Sequence, residues 1–299
     1  MRNAFIEELV ALAEQHPHIA LVVGDLGYSV IEPFADRFPD RFINAGVAEQ
    51  NMTGMAAGMA SEGYHVFTYS IANFPTFRCA EQIRNDVDYH QLPVTVVSVG
   101  CGLAYGALGY SHHAVQDYAL MRSLPHMLIA APGDPMEVRA CMRYLVEHPQ
   151  PSYLRLGKVG EPNFHKAVPE VSPGQWLKVV DGQEPATLLT TGTTLGLAIG
   201  WHNHPAYRGF SVHSMPLWGM GCKAAQIANV QLFDTVETLE DHLQDGGFGS
   251  WLMESVVGRV EVRTRLLTHA LSPEVCGTVG SQQMLNSLGG LPISPVRSV

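Results

Sequence analysis

Short apolar runs bounded by glycine and proline alternate with helical periods along the first half of the chain. Residues 2–15 place Phe5, Leu9 and Leu12 on one helical stripe. The run IALVVGD (19–25) has the unbroken apolar character of a buried parallel strand and ends in Gly-Asp. FINAG (42–46), HVFTYS (65–70), PVTVVSVG (93–100), HMLIAAPGD (126–134) and SYLRLG (152–157) read as further strands. Helical stretches are expected at 48–62, 76–90 and from Pro135 to about Glu147. This alternation predicts an α/β fold with a doubly wound parallel sheet.

The period lapses over 161–185, where EPNFHKAVPEVSPGQ is rich in proline and polar residues and reads as a linker. Alternation then resumes. ATLLTTGT, GFSVHSMPLW, LFDTVETLED and VEVRTRLLT read as strands, with helices between them, one near 249–258 and a last one from Ser281. The expected organisation is a first domain over 1–165, a linker over 166–182 and a second, smaller doubly wound domain over 183–299.

Composition narrows the function classes. The chain is 46% hydrophobic and 15% charged, so it can bury a large core and is expected to cover surface with a partner subunit. A formal net charge of −10 argues against a nucleic-acid partner, which calls for a basic face. The five cysteines are scattered and show no C-x-x-C spacing, as reduced thiols of a cytoplasmic protein do. The N-terminus carries no signal-peptide pattern, and no apolar run approaches the roughly 18 residues of a membrane span.

One stretch, NAGVAEQNM (44–52), raises a chemical question. Glu49 heads a helix that carries no further charge until Glu62 and has Gly54 and Gly58 in G-x-x-x-G spacing. Locally, an acid in a first helical turn complements the macrodipole, and small residues allow close packing. The wider sequence gives the acid another meaning.

DRFINAGVAEQNMTGMAAGMASEGYHVFTYS resembles the pyrimidine-binding domain of transketolases, and the whole chain is similar to the C-terminal half of that family. LVVGDLGYS resembles the family's first strand and turn. VTVVSVGCGLAYGALGYSHH resembles its strand and substrate loop, and VETLEDHLQDGGFGSWL its C-terminal domain. The resemblance implies thiamine diphosphate, whose thiazolium C2 becomes a carbanion that attacks a ketose carbonyl; the cofactor carries this chemistry and the protein tunes it. It assigns Glu49 to the aminopyrimidine N1′, as a buried acid able to hold a proton. It places Asp25 against the thiazolium and at least one of Phe74 and Phe77 against the aminopyrimidine ring, with Tyr69 a weaker candidate. His112 falls on the donor-binding histidine. Arg2, Ser29 and Lys158 fall on positions that bind substrate phosphate, where lysine supplies charge without arginine's bidentate fork. His113 is expected to be structural and His242 to pack between domains.

Two departures from the family matter. The G-D-G followed some thirty residues later by Asn, which holds Mg²⁺ or Ca²⁺ and the diphosphate, is missing; GDL and GDP lack the downstream Asn. The expectation is therefore a split enzyme. An N-terminal subunit supplies the diphosphate and metal sites, and this chain forms a homodimer within an α2β2 assembly. In the loop, GEDGPTH becomes GALGYSH, with Leu108 in place of an Asp, and a loop histidine becomes Gly100. That points away from an ordinary pentose-phosphate pair, toward a branched, deoxy or sulfonated ketose. The expected activity is transfer of a two-carbon ketol unit from a phosphorylated ketose to an aldose. The alternatives are the β subunit of a 2-oxo-acid dehydrogenase first component, a 1-deoxyxylulose-5-phosphate synthase-like enzyme, and a non-catalytic regulatory or scaffold subunit.

Overall fold

The computed structural model describes residues 1–295, so the last four residues of the expected 183–299 domain lie outside the described residues. The first part of the chain contains α1 (Arg2–Gln15), β1 (Ile19–Val23), α2 (Glu32–Arg37), β2 (Phe42–Asn44), α3 (Glu49–Ser61) and β3 (His65–Ile71). It continues with α4 (Ala80–Gln82), β4 (Val94–Val99), α5 (Asp117–Met121), β5 (Leu128–Ala130), α6 (Pro135–Glu147) and β6 (Ser152–Leu156). The second part contains β7 (Leu177–Val180), β8 (Ala186–Thr190), α7 (Thr194–His202), β9 (Ser211–Ser214), β10 (Leu217–Gly219) and α8 (Gln226–Val230). It ends with β11 (Thr235–Leu243), α9 (Phe248–Val256), β12 (Arg265–Leu271) and α10 (Gln282–Leu288).

The apolar runs form two α/β sheets. The first has the order β10-β5-β6-β4-β3-β1-β2, parallel except for β10. The second has the order β12-β11-β8-β9-β7, parallel except for the edge strand β7. β1 and β4 are buried at every residue, as strands covered by helices on both faces must be. The expected stripe of α1 packs inward: Phe5, Leu9 and Leu12 are all buried.

Three segments differ from the sequence expectation. Residues 76–90 are not one regular helix: a 3₁₀ turn at Phe77–Cys79 leads through α4 into a π-helical turn at Ile83–Asp88. GFSVHSMPLW is not one strand. Pro216 brings no N–H to a ladder, and the chain passes from β9 in the second sheet to β10 in the first, with Ala131 N–H donating to the Pro216 carbonyl at 2.7 Å. Within the expected linker, β7 pairs with β9. The last predicted strand also begins later than expected, at Arg265.

The two sheets are locked together by a buried ion cluster. Arg155 of β6 donates to Asp117 at 2.6 Å and to Asp241 of β11 at 2.5 Å, and it also donates to the Ala114 carbonyl at 2.7 Å. All three charged side chains are buried. The motif E-D-H in β11 is absorbed here. Glu240 accepts the N–H groups of Phe248 and Gly249 at the start of α9, Asp241 meets Arg155, and His242 stacks on Tyr118 at 5.2 Å.

Candidate active site

The carboxyl ends of β1, β3, β4 and β6 converge on one rim of the first sheet, the position where open α/β sheets bind ligands. Glu49 opens α3 on this rim and is 2% exposed. A Cβ on Gly24 would stand 3.4 Å from Glu49 Cγ, so the end of β1 abuts the acid. Burial of a lone carboxylate is costly, and here Arg78 offsets it, donating to Glu49 Oε2 at 2.6 Å. The Arg78 guanidinium also lies 4.6 Å from the centre of the Phe74 ring, and its side chain is 45% exposed.

From Phe74 the contacts continue as a row. Its ring meets the His112 ring edge-on at 5.2 Å, and His112 meets Tyr105 edge-on at 6.4 Å. The Lys158 ammonium lies 4.5 Å from the centre of the Tyr105 ring, and the Arg2 N–H donates to the Lys158 carbonyl at 3.3 Å. Glu49, Phe74, His112, Lys158 and Arg2, far apart in sequence, therefore share one surface. Asn73 pins the β3 end to the loop after β4 by donating to the His113 carbonyl at 2.5 Å. Burial, reinforced by His113, pushes the pKa of His112 below the ordinary histidine value, which favours a neutral imidazole. His113 is buried, with Nε2 3.3 Å from the Gly106 carbonyl oxygen.

The other predicted residues are placed less centrally. Asp25 is exposed in a left-handed conformation (φ 54°) beside β1. Its carboxylate accepts from Asn44 at 2.9 Å and Tyr28 at 3.1 Å, bonds that hold its pKa below the usual range. Ser29 is not joined to Arg2 or Lys158 among the described residues; its N–H donates to Glu32 at 2.7 Å. Phe77 is 47% exposed and stands outside the row. Tyr69 is 1% exposed, and burial raises its pKa well above the ordinary phenol value. The Nε of Arg2 is buried without a hydrogen-bond partner.

Sequence reasoning missed Arg78 and Tyr105. Arg78 directly follows Phe77, but its partner lies 29 positions upstream, and nothing local announces the pair. Nothing in the sequence ties Tyr105 to Gly100 either: only in the fold would a Cβ at position 100 overlap the Tyr105 ring. The glycines of α3 also proved informative. Gly54 and Gly58 have nothing within 4 Å of a built Cβ, so their face does not pack against this chain's own core. Among the described residues, no three His, Cys, Asp or Glu side chains come together as a metal site, and no helix is long and apolar enough to cross a membrane.

The family model for the transketolase pyrimidine binding domain matches residues 1–159. A putative transketolase C-terminal section from Methanocaldococcus jannaschii is 33% identical, covering 97% of this chain and 92% of its own length. An apulose-4-phosphate transketolase subunit from Phocaeicola vulgatus is 32% identical over 85% of this chain and 83% of its own length. The 1-deoxy-D-xylulose-5-phosphate synthase of Magnetococcus marinus is 29% identical over 93% of this chain but only 46% of its own length. Among solved structures, a split gene transketolase described as an inactive beta4 tetramer superposes with a TM-score of 0.82 at 28% identity, covering 98% of this chain and 93% of that one.

Proposed function

The chain belongs to the transketolase family, and from that premise we propose that it is the C-terminal subunit of a split, thiamine diphosphate-dependent transketolase. In this reading it transfers a two-carbon ketol unit from a phosphorylated ketose to an aldose. The partner subunit carries the diphosphate and its Mg²⁺ or Ca²⁺, and this chain carries the pyrimidine seat. Two relatives of nearly this length, one named a transketolase C-terminal section and the other a transketolase subunit, support the split.

The observation that carries the reading is the junction of Glu49, Phe74 and Arg78. A buried carboxylate and an aromatic face adjoin, and a planar cation reached from solvent now spans both. A planar aminopyrimidine has the shape and hydrogen-bonding edge for that seat. When bound, thiamine diphosphate supplies the carbanion equivalent that adds to the ketose carbonyl. Glu49 would bind the ring edge and hold or release a proton there, and Phe74 would support the ring face. His112, as a neutral imidazole, orients the donor's oxygens. Lys158 and Arg2 hold the anionic end. The open small-residue face of α3, with Gly54 and Gly58, suits close approach of a second copy, consistent with an α2β2 assembly.

Co-expression with an N-terminal transketolase subunit tests the reading. Two-carbon transfer from a ketose phosphate to an aldose is the expected result. Release of CO₂ from pyruvate without such transfer favours the dehydrogenase or synthase alternatives. Glu49→Ala should abolish turnover while the complex still assembles; unchanged turnover would leave only a scaffold role.

A further inference from the structure

We propose that Tyr105 is the positioning residue for the anionic end of the substrate, seating the Lys158 ammonium on its ring. The proposal rests on the reading of Lys158 and Arg2 as a phosphate seat. Tyr105 is half-buried in the loop after β4, and its ring lies in a hollow that exists because residue 100 is glycine. Gly100 is also in the left-handed region (φ 85°), so both the backbone path and the hollow depend on the missing side chain. On one side the ring supports Lys158, with the ammonium 4.5 Å from its centre. On another it meets His112 edge-on at 6.4 Å.

Lysine is a compact charge on a flexible stem, and it loses rotamer entropy whenever it must hold one position. A cation resting on an aromatic face is already placed, and the ring leaves its remaining donors free for an incoming anion. Arg2 lies alongside, with its buried Nε unpartnered and its backbone bonded to Lys158. Tyr105 thus spaces the anion seat from His112 at the cofactor end and sets where an extended substrate places its charged terminus.

The test uses the reconstituted complex loaded with thiamine diphosphate and Mg²⁺, with inorganic phosphate as the probe and its dissociation constant read by ³¹P NMR. Tyr105→Leu should weaken phosphate binding about fivefold, and Tyr105→Phe, which keeps the ring, should restore it to within about twofold of the parent. Gly100→Ala, which pushes the ring from its hollow, should reproduce the loss with Tyr105 still present. It also keeps the test decisive if Tyr105→Leu does not fold. Lys158→Gln separates the two levels. If Lys158→Gln leaves phosphate binding unchanged, the phosphate seat is wrong and the proposal falls with it. If Lys158→Gln weakens binding while Tyr105→Leu does not, the seat stands and the role of Tyr105 is overturned. If Tyr105→Phe is as weak as Tyr105→Leu, the ring face is not what holds the lysine, and the proposal also fails.

Discussion

Arg78 donates to Glu49 at 2.6 Å while its guanidinium lies 4.6 Å from the centre of the Phe74 ring. One side chain thus makes both contacts that an aminopyrimidine needs: a hydrogen bond to the acid and a face against the ring. Arg78 belongs to a segment of broken helical geometry, a 3₁₀ turn passing into α4, and its side chain reaches the seat from solvent. It offsets an otherwise solitary buried carboxylate, and on the proposed reading it must leave for the cofactor to enter.

Arg78→Ala therefore has opposite effects on two states. Without cofactor, Glu49 loses its partner, and the complex should lose about 1–3 kcal/mol of stability. With thiamine diphosphate, no side chain competes for the seat, so cofactor affinity should rise and ligand-induced stabilisation should exceed that of the parent. Thermal unfolding of the reconstituted complex with and without cofactor checks both signs. Equal cofactor-induced shifts in parent and variant would show that Arg78 does not occupy the seat.

Phe74 and Phe77 are placed differently, and different roles are predicted for them. Phe74 lies inside the row, between Arg78 and His112, whereas Phe77 is 47% exposed. Phe74→Leu should weaken thiamine diphosphate binding about tenfold, the scale of a lost aromatic contact with some repacking. Phe77→Ser should leave cofactor affinity within about twofold and act, if anywhere, on subunit association. Isothermal calorimetry on the complex and sedimentation of the assembly distinguish them. The reverse ranking would move the ring floor to Phe77.

The cluster at Arg155 predicts a large stability effect. Arg155→Met leaves Asp117 and Asp241 facing each other in the core, with Tyr153 still donating to Asp117 at 2.6 Å. Removing one member of a buried ion cluster typically costs about 3–5 kcal/mol. Urea unfolding should show that loss, and because the cluster joins β6 to β11, the two sheets should begin to unfold separately. A single cooperative transition at unchanged midpoint would show that the cluster does not couple them.

Much of this architecture was readable because burial is written into short apolar runs. IALVV and VTVVSV are buried on both faces and can be little else than central strands. What escaped depended on partners distant in sequence. LWG pairs with β5, in the sheet of the other domain, and no periodicity in a three-residue strand reveals that. Glu49, His112, Lys158 and Arg2 were singled out by motif resemblance, and the fold links them by contacts along one rim. Arg78 and Tyr105 were not legible, since one depends on an ion pair across 29 positions and the other on the space above Gly100. Ser29, also singled out by the motif, is exposed in a local turn where its N–H donates to Glu32.

Glu240 adds a pH dependence whose sign can be worked out. Burial pushes its pKa from an ordinary value near 4.5 up to about 8, with Asp241 reinforcing the rise and the N–H groups of Gly249 and Phe248, together with Arg155, opposing it. The folded protein thus holds a proton on Glu240 at neutral pH that the unfolded chain releases. Its contribution to stability is fully present below about pH 4.5 and is lost as pH rises toward about 8, by on the order of a few kcal/mol. Glu137, raised above the usual carboxylate range by burial, adds to the same slope. Glu240→Gln cannot ionise, so its stability should vary less with pH between about 5 and 8; the amide serves the α9 N–H groups less well, so the variant should be less stable than the parent near pH 5, with the gap narrowing as pH rises toward 8. Denaturant midpoints measured across that range, parent against variant, decide the matter, because a parallel pair of curves would mean that Glu240 is ionised in the folded protein throughout.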